Sequence, residues 1–367
     1  MAEKAIRLGG ESTAAAITQA VQELYPEHKF TEAEFARKDN AAEIAVDTNF
    51  AAQSFWKDVR IRFFRKKSAV LGLVMIMIIL LLAIFGPGMN AYTYYGQDLS
   101  QKNFAPRVPG IEQFGILDGS EKMSTTTGTK IVNNYVEKGK DDVYYWFGSD
   151  LYGRDIWTRT WEGARVSLII AVAAAVIDMV IGMSYGLISG YFGGRVDMVM
   201  QRFLEVANGI PRLVIVTLLL LVLQPGMVTI IFALMLTEWV GMSRIARAEM
   251  LKLKDQEFVL ASRTLGAGSF FIIFKEVLPN IIGPIITQVM FSIPTAIFTE
   301  AFLSFVGLGI PVPQCSLGSL ISELYNSFTT HPYQIIPPIV VMSLLMLSFN
   351  LVADGLREAL DPKMKSM

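Results

Sequence analysis

Four ionisable side chains lie within or beside long apolar runs, where a charge has unusual chemistry. They are Asp178, Arg212, Glu238 and Glu300. A charge at membrane depth is costly unless it is paired or faces a water-filled cavity. We therefore expect these residues to form ion pairs or hydrogen bonds, or to line the path of a polar solute.

Arg212 has two interpretations. Its planar guanidinium can bind a carboxylate through two parallel hydrogen bonds, so it could receive the carboxylate of a substrate. Alternatively, Asp178 or Glu205 neutralises it in a purely structural pair. Glu238 and Glu300 are expected near the ends of two apolar runs.

The chemistry of common catalytic and metal sites has little support. His28 and His331 are far apart, no H-E-x-x-H occurs, and Cys315 is the single cysteine, so a thiolate metal cluster is excluded. We expect His331 to be exposed to solvent and Cys315 to be a small packing residue. No G-x-x-x-x-G-K-[ST] is present, so the chain is not expected to bind nucleotide phosphates or to act as an enzyme.

Composition predicts a membrane protein. The 367 residues are 52% hydrophobic with a mean hydropathy of +0.43, and the apolar residues occur in blocks. The net charge of -1 argues against a nucleic-acid-binding protein, which normally has a basic excess.

The apolar blocks predict an all-α fold with six transmembrane helices, because about 20 helical residues cross the hydrocarbon layer. The predicted spans are Ser68–Gly88, Val166–Gly190, Phe203–Leu223, Val228–Ser243, Ile281–Phe305 and Ile335–Ala353. Within the second span, Gly182, Gly186 and Gly190 share one face at four-residue spacing, which permits close helix packing. That packing can lie within the chain or at a sliding or subunit interface.

Basic residues predict the orientation. Six Lys and Arg side chains lie within residues 55–67, directly before the first span, and six more lie between the fourth and fifth, whereas the connections 224–227 and 307–333 have none. The positive-inside rule therefore places both termini and the 255–280 loop in the cytoplasm.

The remaining segments divide the chain further. Residues 1–54 are a polar cytoplasmic extension, in which 13–24 form either an amphipathic helix or disordered chain. Residues 55–67 alternate aromatic and basic side chains, which suits a membrane interface or merely sets topology. Residues 89–161 form an ordered extracellular insertion, 162–356 the permease core, and 357–367 a cytoplasmic tail.

The 255–280 loop has a helix–glycine–helix pattern. Asp255 can cap a short helix that ends near Leu265, and Gly266 supplies the left-handed residue that often follows a helix. Ser269 can cap a second helix, which Pro279 is expected to end. Two short helices around a glycine between membrane spans predict a docking surface.

This loop resembles the E-A-A loop of bacterial ABC importer permeases, whose pattern is E-A-A, three residues, Gly, nine residues and I-x-L-P. Leu260-Ala261-Ser262 occupies the E-A-A position, Gly266 the glycine, and Leu278-Pro279 the end. Leu260 and Glu276 depart from the motif Glu and Ile. The resemblance implies that ATPase coupling involves Glu257, Ala261, Ser262, Gly266, Leu278 and Pro279.

Further motifs resemble the dipeptide and oligopeptide permeases, in particular their C-type subunit. They are F-G-S-D and G-R-D at 147–155, G-A-R-V-S-L at 163–168, G-Y-F-G-G at 190–194, E-A-F-L-S-F-V-G-L-G at 300–309 and D-G-L-R-E-A-L-D-P at 354–362. Because Glu300 belongs to one of them, a packing or gating hydrogen bond is favoured there over a proton relay.

The resemblance implies one membrane subunit of an ATP-driven peptide importer in the bacterial cell membrane. The implied partners are a second homologous permease, two ABC ATPases and an extracytoplasmic peptide-binding protein. It also implies that the ATPases, and not this chain, bind ATP and Mg²⁺.

Two alternatives remain open from the sequence. The same architecture could import nickel or a metallophore, since chelated metal needs no protein ligands. A secondary transporter or channel driven by an ion gradient would instead function without ATPases.

Overall fold

The computed structural model describes residues 55–125 and 128–360. The predicted extension 1–54, its segment 13–24 and residues 361–367 of the predicted tail lie outside this part. The α-helices of four or more residues in this part are α1 Phe55–Arg65, α2 Lys67–Phe85, α3 Asn134–Glu137, α4 Ile156–Ile177, α5 Met183–Phe192, α6 Gly194–Gly209, α7 Arg212–Val222, α8 Met227–Thr237, α9 Trp239–Leu253, α10 Glu257–Thr264, α11 Leu278–Leu303, α12 Leu317–Tyr325 and α13 Ile336–Leu360.

Five helical stretches of the described part are long and apolar enough to cross a membrane, and one bent pair could form a sixth span. The five are Lys67–Gly88, Ile156–Phe192, Met227–Leu253, Ser269–Leu308 and Pro332–Leu360. The predicted all-α polytopic fold is confirmed. Most of these helices extend beyond the predicted spans because their polar ends continue the same hydrogen-bonded backbone.

The third predicted span is not one straight helix. Helices α6 and α7 meet at an angle of 78°. Ile210 is extended (φ -82°, ψ 125°) and Pro211 lies at φ -57°, ψ 126°. A proline disfavours helical backbone at the residue before it and has no N–H to continue the ladder. The predicted span Phe203–Leu223 is therefore interrupted at Ile210 and Pro211.

The predicted fourth span also differs. Helices α8 and α9 follow each other through Glu238, which has α-helical backbone (φ -83°, ψ -30°). The combined stretch runs to Leu253, so Glu238 lies near its middle. The shorter predicted span had placed Glu238 near an end.

The basic–aromatic segment 55–67 contains the whole of α1. Lys66 interrupts the helix with extended backbone (φ -82°, ψ 102°) before α2 begins. Its ammonium group lies 2.5 Å from the carboxylate of Glu358 near the end of α13. The first and last long helices are thus joined at this end, and their apolar faces share the main core with α4 and α11.

The residues between α2 and α4 form the ordered insertion that the sequence predicts. Strands β1 Ser120–Thr125 and β2 Gly128–Asn133 pair antiparallel, from Ser120 opposite Asn133 to Thr125 opposite Gly128. Beside them, Phe104, Tyr135 and Tyr145 form a buried aromatic core. The Tyr135 hydroxyl donates to the Ala105 carbonyl, which satisfies its polar atom inside that core.

Candidate functional site

The 255–280 loop is a helix, a glycine turn and a second helical segment. Gly266 has φ +83°, as its expected left-handed role requires. The Ala267 N–H donates to the Ser262 carbonyl and the Gly266 N–H to the Arg263 carbonyl, both at 3.0 Å. These two bonds form a Schellman motif, which satisfies carbonyls that the end of α10 would otherwise leave free.

Three local expectations for this loop were wrong. Gln256, not Asp255, precedes α10, and its side chain makes no capping hydrogen bond. Gly268, not Ser269, precedes the second helical segment, which passes through a π-helical turn, Ile272–Val277, into α11. Pro279 does not end a helix but is the second residue of α11, within the continuous helical stretch Ser269–Leu308.

The inner face of the loop is fixed to the helices behind it. Val259, Ile273 and Val277 are fully buried in a cluster with Leu187 of α5 and Met250 of α9. The guanidinium of Arg263 lies 4.9 Å from the ring centre of Tyr191, at the end of α5. The inner face of the loop is therefore packed directly against α5 and α9.

The outer face of the loop exposes large apolar side chains. Leu265 is 88% exposed and Phe270 is 65% exposed, and they flank Gly266 and Gly268. Of the six predicted coupling residues, Glu257, Ala261, Gly266 and Pro279 are exposed and Ser262 and Leu278 are half-buried. A surface of this kind, rimmed by charges, is typical of a protein–protein contact.

The three glycines of the second span pack against α9 of the same chain. A Cβ atom at Gly186 would lie 2.1 Å from the Ser243 carbonyl oxygen, and one at Gly182 would lie 2.5 Å from that of Trp239. At Gly190 the nearest atoms, at 2.9 Å, belong to the Met250 side chain. The glycines let the two helix backbones approach closely, which is the internal alternative of the two considered.

A bidentate ion pair beside these helices was not foreseen. Arg247 of α9 donates from Nε and Nη2 to the two carboxylate oxygens of Asp197 in α6, each at 2.6 Å. Ser189 of α5 donates to the same carboxylate at 2.5 Å. Asp197 lies three residues beyond the G-Y-F-G-G motif, and nothing in the sequence identifies the partner of its carboxylate.

Arg212 pairs with Glu238. Its Nη1 lies 2.7 Å from Glu238 Oε1, and the Arg212 side chain is 53% exposed. The expected partners Asp178 and Glu205 do not hold it, since Glu205 pairs with Arg202 at 2.6 Å. The 78° bend carries Arg212 away from Glu205 and towards α9.

Asp178 begins a π-helical turn, Asp178–Gly182, between α4 and α5. It is only 4% exposed, and its Oδ1 has no hydrogen-bond partner among the described residues. The Asp178 carboxylate interacts electrostatically with both Glu238 and Arg212. Three of the four predicted polar residues thus lie in one region. The fourth, Glu300, lies apart.

Glu300 is a fully buried acceptor for three serine hydroxyls. Ser316 donates at 2.5 Å, Ser304 at 2.7 Å and Ser167 at 3.3 Å. These serines lie in front of α12, after α11 and in α4, so one carboxylate joins three elements. The arrangement is the packing hydrogen bond that the sequence favours, extended to three donors.

A second buried charge network joins α4 to α12. Asp150 accepts from Arg154 and Arg159, both at 2.7 Å, and both arginines also bind Glu323. Burial raises the pKa of Glu323, and the two arginines, chiefly the charge of Arg159, more than offset this, so its pKa is lowered. The F-G-S-D and G-R-D motifs supply Asp150 and Arg154, but their spacing did not reveal Glu323.

The expectation that His331 is exposed to solvent was wrong. Only 9% of it is accessible, and its Nδ1 lies 2.8 Å from a carboxylate oxygen of Glu121 in β1. The insertion folds over this loop and buries it. Cys315 is 1% exposed, as expected of a packing residue.

Two family models match the chain. The "binding-protein-dependent transport system inner membrane component" matches residues 182–366, and the "N-terminal TM domain of oligopeptide transport permease C" matches residues 54–106. Together they cover the basic–aromatic segment, the first span and the helices that hold the loop.

Curated relatives are similar over most of their length. The oligopeptide transport system permease protein OppC of Bacillus subtilis is 41% identical, covering 85% of this chain and 91% of the relative. The dipeptide transport system permease proteins DppC of Bacillus subtilis and Lactococcus lactis are 39% and 42% identical, each over 85% of this chain and covering 87% and 92% of the relative.

Proposed function

The chain belongs to the oligopeptide and dipeptide permease family of ABC importers, and from this premise we propose that its 255–280 loop couples ATP hydrolysis to peptide uptake. The protein is a multi-pass permease subunit of the bacterial plasma membrane. The peptide cargo is the one for which its curated relatives are named.

The observation that carries the coupling proposal is the two-sided character of the loop. Its outer face offers Leu265 and Phe270 to a partner, while Val259 and Val277 anchor its inner face among α5, α9 and α11. A push on the outer face is therefore transmitted to three helices at once. Packed helices switch between discrete conformations rather than deforming continuously. A partner that binds one conformation more tightly increases the fraction of molecules in that conformation.

The proposed assembly contains a second homologous permease, two ABC ATPases and an extracytoplasmic peptide-binding protein. The ATPases bind ATP and Mg²⁺ and dock on residues 256–280, with Glu257, Ala261, Ser262, Gly266, Leu278 and Pro279 at or beneath the contact. Both termini then lie in the cytoplasm and the 89–161 insertion faces the outside, as the Lys and Arg distribution predicts.

Two glycines of the loop provide a matched test. A Cβ would meet nothing within 4 Å at Gly266 or at Gly268, but only Gly266 has positive φ, whereas Gly268 lies at φ -70°, ψ 152°. A valine is strained at the first position and relaxed at the second. Gly266→Val therefore changes the turn, and Gly268→Val adds the same side chain without changing it.

We expect Gly266→Val to abolish uptake of a labelled oligopeptide in cells that carry the complete importer, and Gly268→Val to retain most of it. Membrane abundance of each variant is measured by immunoblot and must be equal. Co-purification of the ATPases should be lost with Gly266→Val alone. Equal uptake by both variants would refute the coupling role of the loop.

A further inference from the structure

The bend between α6 and α7 places a cation beside Glu238, which lies within a helical stretch long and apolar enough to cross a membrane. Arg212 is the first residue of α7, directly after Pro211. Its partner Glu238 lies 11 residues from the start of the Met227–Leu253 stretch and 15 residues from its end, which corresponds to about 16 Å and 22 Å of helix. A charge at such depth indicates function rather than solvation.

Arg212 uses little of its hydrogen-bonding capacity. A guanidinium has five N–H donors, and Arg212 makes a single hydrogen bond among the described residues, from Nη1 to Glu238. The Nε and Nη2 side, which forms the bidentate fork for carboxylates, has no partner there. By contrast, Arg247 uses this same side for both oxygens of Asp197.

The degree of burial also separates this pair from the structural ones. Arg159 is completely buried and bound to two carboxylates, whereas the Arg212 side chain is 53% exposed and its carboxylate partner 10% exposed. A half-exposed guanidinium with a free fork is accessible to a second anion. Glu238 orients the Arg212 guanidinium but accepts only one of its five N–H donors.

A cavity adjoins Arg212. It has a volume of about 270 Å³ and is bordered by Arg212, by apolar side chains of α7, α8 and α11, and by three threonines. The threonines are Thr237, Thr295 and Thr299. Such a cavity suits the apolar side chain of a terminal peptide residue, with the cation at its edge for the terminal carboxylate.

Two carboxylates accompany the one cation. Asp178 has a buried, unpartnered Oδ1, and its electrostatic interactions include both Glu238 and Arg212. When a substrate carboxylate displaces Glu238, two carboxyl groups of the protein lie beside it, and their oxygens can accept hydrogen bonds from an ammonium group. The matching ligand is therefore a zwitterion rather than a simple anion.

We propose that Arg212 binds the terminal carboxylate of a zwitterionic peptide in transit, and that Glu238 is the counter-ion which this carboxylate displaces. The inference rests on the peptide cargo stated under the proposed function. It makes Arg212 a substrate-binding residue of the translocation path.

The test compares a labelled tripeptide with its C-terminal amide in cells that carry the complete importer. Each variant's uptake is divided by the wild-type uptake of the same peptide, which cancels any preference of the peptide-binding protein. Arg212→Gln should lower uptake of the free tripeptide at least about tenfold, because it removes a charge-assisted bidentate bond. Uptake of the amide, which has no carboxylate, should remain above half of the wild-type value.

A charge-swap variant, Arg212→Glu combined with Glu238→Arg, provides a second test that does not need the peptide amide. The swap restores an ion pair between the two positions but moves the cation to the more buried one. We expect it to leave uptake of the free tripeptide as low as in Arg212→Gln, at equal membrane abundance.

Three results would overturn the inference. An equal loss of both peptides in Arg212→Gln, or recovery of uptake in the swap, would show that the pair is only structural, and the proposed function would stand. Wild-type cells that import neither peptide would refute this inference and the proposed peptide function together.

Discussion

Adding one methyl group at Gly186 should force two membrane helices apart. The new Cβ would lie 2.1 Å from the Ser243 carbonyl oxygen, 2.9 Å from the Ala246 Cβ and 2.9 Å from the Arg247 backbone nitrogen. Two of these neighbours are backbone atoms, so no side chain can rotate out of the way. Normal contact requires α5 and α9 to separate by about 1 Å, given an ordinary carbon–carbon separation of about 3.5 Å or more.

The magnitude follows from two opposing effects. Overpacking of this kind costs about 1–3 kcal/mol, and separating the helices also loosens the contacts of Gly182 and Gly190 along the same face. Replacing a helical glycine by alanine contributes about 1 kcal/mol in the opposite direction. We therefore expect Gly186→Ala to lower the free energy of unfolding by up to about 2 kcal/mol in net terms.

Gly241 in α9 supplies the matched control, since a Cβ there would meet nothing within 4 Å. Gly241→Ala should leave stability unchanged or raise it, because only the helix-propensity effect remains. The assay is thermal unfolding of the purified importer in detergent, with both variants measured against wild type. A midpoint for Gly186→Ala at or above that of Gly241→Ala would refute the packing argument.

Two further predictions concern the buried carboxylates. Glu300→Leu should leave the hydroxyls of Ser167 and Ser304 without their acceptor, at about 1–3 kcal/mol each, and lower the thermal midpoint of the purified importer. Glu300→Gln keeps an acceptor and should lose less, so equal losses in the two variants would contradict the hydrogen-bond role. The pKa of Glu323 is lowered from its ordinary 4.5, so its stabilising contribution is complete above pH 4.5 and is lost as the pH falls through the folded-state pKa. Wild type should thus lose more stability than Glu323→Gln between pH 5 and the acid limit of the assay, and parallel pH curves would contradict this.

The sequence predicted most of the helical architecture because long apolar runs have few other solutions in a membrane. It also predicted the left-handed Gly266 and the close packing at Gly182, Gly186 and Gly190, which depend on residue type and local spacing. The bend after Gly209 was missed, although Pro211 was visible, because proline in a membrane span is compatible with either a kink or a break.

Partner identity was the other limit. Arg212 with Glu238, Arg247 with Asp197, and Glu323 with Arg159 are pairs separated by 26, 50 and 164 positions. Each depends on how helices are placed side by side, which no local pattern encodes. The three serines around Glu300 were missed for the same reason, since they come from three different elements. The sequence could identify polar residues that need partners but could not choose among the candidates.

The positions of these features along α5 and α9 connect the loop to the polar site. At one end of this helix pair, Gly190 packs on Met250, which belongs to the apolar cluster that anchors Val259 of the loop. At the other end, Gly182 packs on Trp239, the residue next to Glu238. Since the pair is packed backbone to backbone, few flexible side chains lie between the helices to absorb a displacement. A movement of the loop should therefore reach Glu238 as a rigid-body shift, while Arg212 belongs to α7 beyond the 78° bend. The helix pair thus links the loop to Glu238 through closely packed backbone, and Glu238 in turn holds Arg212 at 2.7 Å across the bend.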